Sequence, residues 1–304
     1  MTSGSDSISK RGHIVIIGGG PAGTACALAL RCLAREISRE IRITIVEGKQ
    51  FTGEQHYNQC LGVLSPPLPA LLENTLNLPF PHHLGQRTIK RYILHTEGEQ
   101  ITLDDDQQPS VALRRIQYDT YMLEAVKERG IQVLPARAVD LEFHRERVVV
   151  YTENAPLEAQ VVVGAFGLDE GSAGMFSRHT PYQAPRALSS IVTKIRPGTK
   201  KVDQFLMGIH AFLPAHPGIE FGGITPKGNH LVINIAGREV DVKLMDTFLQ
   251  LPMVRSTVPF QRNSLDAHPD NFQLFKGRFP CSLAPGYYGD RYVTIGDAAG
   301  LVRA

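Results

Sequence analysis

The residue types that could do chemistry in this sequence are concentrated first in a glycine-rich segment near its start. The segment GGGPAG, residues 18–23, follows a short apolar run and fits the spacing G-x-G-x-x-G. In that spacing Gly18 permits a tight turn, Gly20 lets a phosphate approach bare backbone, and Gly23 lets a helix pack closely on a sheet. The start of that helix offers free N–H groups to a pyrophosphate.

An acidic residue lies at the distance that a nucleotide-binding unit requires. After the helix comes the apolar segment IRITIV, residues 41–46, and Glu47 stands directly at its end. A carboxylate at this point, about 20 residues after the glycines, accepts hydrogen bonds from a ribose diol. The order strand, glycine turn, helix, strand and acid predicts a βαβ dinucleotide unit, and the acid disfavours a 2′-phosphate.

A second ligand-binding segment is predicted near the other end of the sequence. The segment RYVTIGDAAGLV, residues 291–302, reads as an apolar strand that ends in Gly296, Asp297 and Ala298. An Asp at a strand end can bind a ribityl hydroxyl, while backbone N–H groups of small residues face phosphate or flavin. A nicotinamide dinucleotide does not usually need this second segment, whereas a flavin with its ribityl chain does.

Three segments together resemble one group of flavoproteins. The segments GGGPAG and GDAAG are similar to the FAD-binding fold shared by para-hydroxybenzoate hydroxylase and the geranylgeranyl reductases. Between them, the segment LRRIQYDTYML resembles that family's R-x-x-F-D-x-x-L segment, with Arg115, Tyr118 and Asp119 in the first places. The resemblance implies FAD as the cofactor, with Arg115 near its phosphates or ribityl chain. Without the resemblance, Arg115 reads equally well as a solvated residue at a helix start.

The segment after the predicted acid carries the candidates for the chemistry itself. By the resemblance, residues 53–69 run beside the isoalloxazine ring, where some prenyl reductases have a Cys-Gly-rich loop. Cys60 and Gly62 are similar to that loop, so Cys60 is the first candidate for a residue near the flavin. His56 and Tyr57 are candidate proton donors. The alternative is that Cys60 is a small buried cysteine and His56 an ordinary surface histidine.

The set of residues predicted to bind FAD combines the motifs with the resemblance. It consists of Gly18, Gly20, Pro21, Ala22, Gly23, Glu47, Gly48, Lys49, Cys60, Gly62, Arg115, Ala138, Gly164, Gly296, Asp297 and Ala298. No catalytic residue is assigned beyond the candidates Cys60, His56 and Tyr57. No metal site is predicted, because the histidines and cysteines show no ligand spacing.

Two segments depart from the family's pattern. The family reads GADG where this sequence has GAFG, so Phe166 replaces an Asp that in the hydroxylases belongs to a segment touching FAD and the nicotinamide donor. This change disfavours the hydroxylases' mode of NADPH use. The reductases' Y-x-W-x-F-P-K-G segment survives only as TPKG, residues 225–228, and the sequence contains no Trp. These changes weaken the case for a prenyl chain held in the family's usual manner.

The predicted fold class is α/β, with a Rossmann-like FAD-binding domain on a parallel sheet and a smaller substrate domain with an antiparallel sheet. The predicted boundaries are a disordered lead-in at 1–12, a discontinuous FAD-binding domain at 13–80, 110–180 and 280–304, and a substrate domain at 81–109 and 181–279. The proline-rich connection before residue 81 reads as a stiff loop packed on its own domain, or as a lid or contact patch. In the family a long helix follows GDAAG, so the sequence is either a fragment or has a curtailed cofactor site.

Composition excludes several other classes of function. The 304-residue sequence has a formal net charge of +2, which gives no reason to expect nucleic acid as a partner. No apolar run approaches the roughly 18–20 residues that cross a bilayer, and the start lacks the apolar core of a signal peptide. The cysteines show no C-x-x-C spacing, which suggests a reducing compartment. A cytoplasmic location is expected, with peripheral contact to a membrane or to an electron-donor protein left open.

The resemblance implies an FAD-dependent oxidoreductase in which reduced flavin passes a hydride to an unsaturated, largely apolar small molecule. The sequence has no second G-x-G-x-x-G unit, so NAD(P)H is expected only as a transient donor. The first alternative is a flavin monooxygenase that hydroxylates an aromatic or lipid substrate. The second is a flavin-binding module without turnover.

Overall fold

The structure is a computed structural model that describes residues 12–49, 60–104, 107–196, 208–257 and 274–301. Within these ranges the strands are β1 (His13–Ile17), β2 (Arg42–Val46), β3 (Val63–Leu64), β4 (Gly85–Ile89), β5 (Arg91–His95), β6 (Gln100–Asp104), β7 (Ser110–Leu113), β8 (Gln132–Leu134), β9 (Ala138–Phe143), β10 (Val148–Thr152), β11 (Leu157–Ala159), β12 (Val161–Gly164), β13 (Ala187–Ile195), β14 (Gly208–Phe212), β15 (Phe221–Lys227), β16 (His230–Gly237), β17 (Phe275–Pro280), β18 (Tyr288–Gly289) and β19 (Tyr292–Thr294). The helices are α1 (Pro21–Glu36), α2 (Leu68–Leu76), α3 (Arg115–Glu128), α4 (Glu170–His179), α5 (Val242–Gln250) and α6 (Pro252–Thr257), with 3-10 turns at His82–Leu84 and Gly296–Ala299. None of the helices in these ranges is long and apolar enough to cross a membrane.

A six-stranded sheet joins the start of the described chain to its end. Its strand order is β18-β19-β12-β1-β2-β8, and all neighbours run parallel except β18 and β19. Every residue of β1 is buried, because α1, α2 and α3 cover one face of the sheet. The small sheet of β9, β10 and β11 covers the other face together with α4. The predicted Rossmann-like parallel sheet with strands buried on both faces is confirmed.

The helix after the glycine turn is fixed at its start and along its buried face. It begins after Gly20, and Pro21 stands in the first turn, where a missing N–H costs no hydrogen bond. Ala27 and Leu28 are fully buried against the parallel sheet. Their burial holds the start of α1 at the edge of the sheet where β1 ends.

A seven-stranded sheet forms the second large unit. Its order is β17-β13-β16-β15-β14-β5-β6, and its neighbours are antiparallel except for the parallel pair of β14 and β5. The segment RYILHTEGEQITLD forms the hairpin of β5 and β6, and helix α5 packs against one face of the sheet. The parallel pair was not predicted, because it joins segments more than a hundred residues apart in sequence.

The two faces of the seven-stranded sheet have different neighbours. A side chain at Gly222 of β15 would collide with Phe248 of α5, so this position faces the helix. Since side chains alternate along a strand, Thr225 and Lys227 point to the opposite face, which we call the inner face. The Lys227 ammonium reaches the carbonyl oxygen of Leu61. The inner face therefore looks toward the turn that follows residue 60.

The prediction of a stiff loop over the proline-rich connection is wrong in its middle. Helix α2 begins there after Pro67, and Pro69 lies in its first turn, where proline is tolerated. Leu72 and Leu76 of this helix are buried against α1 and the parallel sheet. The connection is thus packed on the core, as one of the alternatives had it.

Candidate functional site

The glycine-rich turn has no room for side chains at two of its positions. Gly18 has φ 110°, and a Cβ there would collide with the carbonyl oxygen of Ala165. A Cβ on Gly23 would collide with the carbonyl oxygen of Gly18. Glycine is therefore required at both positions for the chain to leave β1 and enter α1 in so few residues.

Gly20 differs from its neighbours because the space beside it is open. Among the described residues, no atom lies within 4 Å of the point that a Cβ on Gly20 would take. Gly20 directly precedes α1, and no side chain caps the N–H groups of the first turn. Bare backbone beside an uncapped helix start fits an anionic group such as a pyrophosphate.

Glu47 is held in place by the glycine turn itself. Its Oε2 accepts a hydrogen bond from the Gly19 N–H at 2.7 Å, and its Oε1 accepts one from the Lys49 N–H at 2.7 Å. Each carboxylate oxygen keeps a second lone pair for another donor. The orientation of Glu47 therefore suits a ribose diol, and Gly48 and Lys49 lie exposed beside it.

The two predicted cofactor segments meet in space. A Cβ on Gly296 would lie 2.6 Å from the Cβ of Ala22. They meet because β12 stands between β1 and β19, and the Ile295 N–H donates to the Gly164 carbonyl at 2.9 Å. The expectation that residues 18–23 and 296–300 lie close together in space is confirmed by this contact.

Asp297 and Ala298 follow in the 3-10 turn after β19. The Asp297 side chain is exposed. Neighbouring protein atoms nevertheless remove part of the water around its carboxyl group, which raises the pKa, while the charge of Arg115 lowers it. The Ala298 carbonyl accepts a hydrogen bond from the buried Tyr182 hydroxyl at 2.8 Å. The carbonyl of Ala298 is therefore used inside the protein, whereas the Asp297 carboxylate is accessible to a ligand.

Arg115 opens α3 and lies at the centre of the charged part of the site. Its Nη2 and Nε donate to Asp119 Oδ1 at 3.0 and 3.1 Å, one helical turn away, and Asp119 is only 2% exposed. This ion pair explains the spacing of the two residues, because side chains four positions apart lie next to each other on a helix. The guanidinium also hydrogen-bonds Cys60 and carries its charge close to Asp297.

Cys60 is exposed, so its reading as a small buried cysteine is wrong. Its sulfur accepts a hydrogen bond from the Gly62 N–H at 3.4 Å, in a turn where Gly62 has φ 71°. A Cβ on Gly62 would collide with the carbonyl oxygen of Leu113. The turn thus requires glycine and presents the Cys60 side chain beside Arg115. The other candidates of this segment, His56 and Tyr57, lie outside the described residues.

Lys227 is part of the same group of residues, and the sequence reasoning missed it. Its Nζ donates to the Leu61 carbonyl at 3.0 Å, and the residue is only 7% exposed. Burial lowers the pKa of Lys227 to about 8. The TPKG segment was noted in the sequence, but only as a remnant of a longer motif. Only the fold identifies Lys227 as a site residue, because β15 brings it next to the Gly62 turn.

The position where the family has an acid is apolar in its surroundings. The Phe166 ring packs at 5.1 Å from Phe176 and at 6.0 Å from Tyr182, measured between ring centroids. A Cβ on Gly164 would lie 2.6 Å from the Phe166 ring, so Gly164 makes room for it. Phe166 therefore serves the packing behind β12.

Ala138, the remaining member of the predicted set, comes two residues after Ala136, whose carbonyl oxygen lies 3.4 Å from the Cβ site of Gly48. It opens β9 and packs in the apolar cluster on the face of the parallel sheet opposite α1. The structure thus brings together two groups of predicted residues, the glycine turns with Glu47 and the group around Arg115.

Solved structures of flavoproteins have the same fold. A geranylgeranyl bacteriochlorophyll reductase-like protein from Thermoplasma acidophilum superposes with a TM-score of 0.67 at 15% identity, over 96% of this chain and 72% of that one. The p-nitrophenol 4-monooxygenase PnpA from Pseudomonas putida DLL-E4 superposes with a TM-score of 0.69 at 14% identity, over 95% and 73%. A flavoprotein/dehydrogenase from Cytophaga hutchinsonii gives 0.66 at 17% identity, over 94% and 71%. At these identities the likeness concerns the fold alone.

The sequence itself matches a family model over its first half. No curated protein sequence matches the chain. The model described as FAD-NAD(P)-binding matches residues 15–169, which include the glycine turn, Glu47, Cys60 and Arg115. The matched segment makes up half of the chain and contains the two central strands of the parallel sheet. The chain therefore belongs to the FAD-NAD(P)-binding family.

Proposed function

We propose that this protein is an FAD-dependent oxidoreductase in which the flavin, once reduced by NAD(P)H or by an electron-donor protein, would supply a hydride to an unsaturated, largely apolar small molecule. The observation that carries the proposal is the contact between Ala22 and Gly296. It places an open glycine turn and an accessible Asp297 beside one another at the edge of the parallel sheet. A dinucleotide with a ribityl chain is a ligand that uses both.

The residues that would hold FAD divide according to the chemistry of its parts. The backbone at Gly20 and the start of α1 suit the pyrophosphate, and Glu47 suits the ribose diol. Asp297 suits a ribityl hydroxyl, and Arg115 is close enough to Asp297 to act on the same end of the molecule. By the resemblance the Gly62 turn would lie beside the flavin ring, although the Cβ position of Gly62 itself is taken up by the Leu113 carbonyl and the Lys227 ammonium group.

The inner face of the seven-stranded sheet supports an apolar substrate. Phe221 of β15 and Phe279 of β17 stand together on this sheet, with ring centroids 5.7 Å apart. Val192 and Val232 are buried on neighbouring strands. The part of the inner face that these rings and valines form favours the apolar part of a small molecule, whereas Thr225 and Lys227 make another part of it polar. Reduction of a double bond also needs a proton, for which His56 and Tyr57 remain the sequence-based candidates.

A flavin monooxygenase is the rival function within the same fold. Phe166 favours the reductase, because an aromatic ring in the packing behind β12 cannot supply the carboxylate that the hydroxylases have there. The electron donor is part of the proposal: NAD(P)H would act as a transient donor, or another protein would deliver the electrons.

The test is spectroscopic and uses the purified full-length protein. We expect a yellow protein after incubation with FAD, bleaching when NADPH or NADH is added without oxygen, and no substrate-dependent oxygen uptake in air. Oxygen uptake coupled to an aromatic or lipid substrate would favour the monooxygenase. Bound FAD that no donor reduces would indicate a binding module. Failure to take up FAD would contradict all three.

A further inference from the structure

Lys227 is a buried cation at the junction of the two large sheets. It ends β15 on the inner face, and its Nζ donates to the Leu61 carbonyl at 3.0 Å. A Cβ on Gly62 would lie 2.8 Å from Nζ. The ammonium group therefore lies directly against the turn that is predicted to run beside the flavin.

The described part of the chain offers this ammonium no acidic partner. No carboxylate within the described ranges forms a salt bridge with Lys227. The Leu61 carbonyl is the one hydrogen-bond acceptor that Nζ meets there. An ammonium group has three N–H donors, so two of them are left for another molecule.

The charges around Lys227 make its burial more costly. Burial is the main cause that lowers the pKa of Lys227 to about 8, and the cations Lys194, Arg114 and Arg115 lower it further. Only Cys60 acts in the opposite direction. A buried cation among other cations is unfavourable unless an anion or a negative dipole approaches it. Since the described chain supplies no carboxylate here, a bound ligand is the expected source of the negative charge.

We propose that Lys227 provides the positive charge that stabilises the negative charge which reduction places on the bound flavin, and thereby raises the flavin's reduction potential. This inference rests on the proposed function, because it requires FAD in the site. Lys227 and Asp297 share Arg115 as a charged neighbour, and Asp297 is the predicted partner of the ribityl chain. The ammonium therefore belongs to the ribityl and ring end of the site, and the pyrophosphate belongs to the Gly20 turn.

The physical basis is electrostatic. A fixed positive charge in a poorly hydrated site interacts more strongly with a charge on the ring than it would in water. Protein charges near a flavin ring are among the groups that tune its electronics. Reduction would give the buried ammonium the counter-charge that the described chain does not provide.

The test compares Lys227→Met, Lys227→Gln and Lys227→Arg in the full-length protein loaded with FAD. Sulfite is the probe, because it adds to oxidised flavin and leaves negative charge on the ring without any turnover. We expect sulfite binding to weaken at least about tenfold in the two neutral variants, with a lower midpoint potential, because the neighbouring charge is gone. Lys227→Arg keeps the charge and should stay within about threefold of wild type.

The pH dependence separates a charge effect from a packing effect. The ratio of sulfite affinities, wild type over Lys227→Met, should be largest below pH 8 and shrink above it, as Lys227 loses its proton. The ratio of sulfite affinities, Lys227→Arg over Lys227→Met, should not change over that range, because arginine stays protonated. The other charged or titratable groups around Lys227 are the same in all these variants, so their effects on sulfite affinity cancel in the ratios. These groups are Cys60, Arg114, Arg115, Lys194 and His230.

Lys194→Met is the matched control, since Lys194 is an exposed cation on β13 with Nζ 5.5 Å from the Phe275 ring centroid. We expect sulfite affinity at pH 7 to fall by much less than in the two neutral Lys227 variants, because the exposed Lys194 charge is partly screened by solvent although it reaches Lys227. Wild-type sulfite affinity in both FAD-loaded neutral variants would overturn the inference and leave the proposed function intact. Loss of FAD binding in both, with Lys227→Arg normal, would also overturn it, because Lys227 would then serve binding of the oxidised cofactor. A wild-type protein that takes up no FAD would overturn both proposals.

Discussion

Gly296 packs so closely against Ala22 that a Cβ on Gly296 would lie 2.6 Å from the Cβ of Ala22. Ala22 stands in the first turn of α1, and Gly296 begins the 3-10 turn after β19. The two turns are thus in contact without any side chain between them. Their separation is set by backbone and one methyl group, which leaves no room for an added side-chain atom at position 296.

Gly296→Ala should therefore weaken FAD binding and destabilise the fold. The new methyl group meets Ala22, and alanine at φ 61° costs about 1–2 kcal/mol by itself. We expect FAD affinity to fall at least about tenfold, because any movement of the turn at Gly296 away from Ala22 misplaces the groups that hold the cofactor. Quenching of FAD fluorescence measures the affinity, and urea unfolding measures the stability.

The double variant Ala22→Gly/Gly296→Ala tests whether the contact itself is the cause. Removing the Ala22 methyl relieves the collision but leaves the unfavourable φ at position 296. We expect partial recovery of FAD affinity relative to Gly296→Ala, and so a non-additive cycle. Strict additivity of the two substitutions would show that the two turns do not constrain one another.

Gly20→Val should abolish FAD binding while leaving the folded protein nearly as stable as wild type. The position has φ −70°, which valine tolerates, and no described atom lies within 4 Å of its Cβ site. The valine side chain would occupy the space that a phosphate needs. We expect the free energy of unfolding without FAD to change by less than about 1 kcal/mol.

Gly98→Val is the matched control for Gly20→Val. Gly98 lies in the exposed turn between β5 and β6, and its Cβ site is also free of described atoms within 4 Å. The same substitution there should leave FAD affinity unchanged. Normal FAD affinity in Gly20→Val would show that the pyrophosphate lies elsewhere.

Local sequence was enough to predict the parts of the site that depend on backbone conformation. The order of strand, glycine turn and helix around Gly18 is written in consecutive residues, and so is the strand that leads to Gly296. Glycine and a buried apolar run each have one dominant structural meaning in that context. The ion pair of Arg115 and Asp119 is also local, one helical turn apart, but the sequence analysis did not predict it.

The parts that could not be predicted depend on contacts between distant segments. Lys227 is buried only because β15 approaches the Gly62 turn, and nothing in its own neighbourhood distinguishes it from a surface lysine. The pairing of β14 with β5 is equally long-range, and it creates the buried contact between His95 and His210. Helix α2 was missed because Pro67 and Pro69 were read as loop signals, although proline is compatible with a helix start.

Thr225→Val should stabilise the protein. The Thr225 side chain is fully buried on the inner face, and its hydroxyl has no hydrogen-bond partner among the described residues. A buried hydroxyl without a partner costs about 1–3 kcal/mol, and valine has nearly the same shape. We expect the free energy of unfolding, measured by urea titration, to rise by roughly 1 kcal/mol.

Thr294→Val supplies the contrast, because Thr294 is equally buried but its hydroxyl donates to the Tyr287 carbonyl at 3.1 Å. Loss of that hydrogen bond should lower the free energy of unfolding by about 0.5–1.5 kcal/mol. We therefore expect the free energy of unfolding to rise in Thr225→Val and to fall in Thr294→Val. Destabilisation of similar size in both would mean that the Thr225 hydroxyl has a partner after all.

Acid should destabilise the protein through His210, which stacks on His95 with a 2.9 Å contact between Nδ1 of His210 and Nε2 of His95. Burial and then the neighbouring His95 lower the pKa of His210 to about 4 from the usual 6.5. The unfolded chain therefore binds more protons than the folded one between these values. Stability is complete above about pH 6.5, falls as the pH drops toward 4, and becomes independent of this group below that.

His210→Phe keeps an aromatic ring beside His95 and Phe212 but removes the titrating group. We expect its free energy of unfolding to fall less steeply than that of wild type between pH 6.5 and 4. A residual slope should remain, because burial also lowers the pKa values of His95 and His230. Urea unfolding at pH 7, 5.5 and 4.5 measures the slopes. Equal slopes in the two proteins would mean that His210 takes up its proton as easily in the folded chain as in the unfolded one, and the buried pair would then play no part in acid sensitivity.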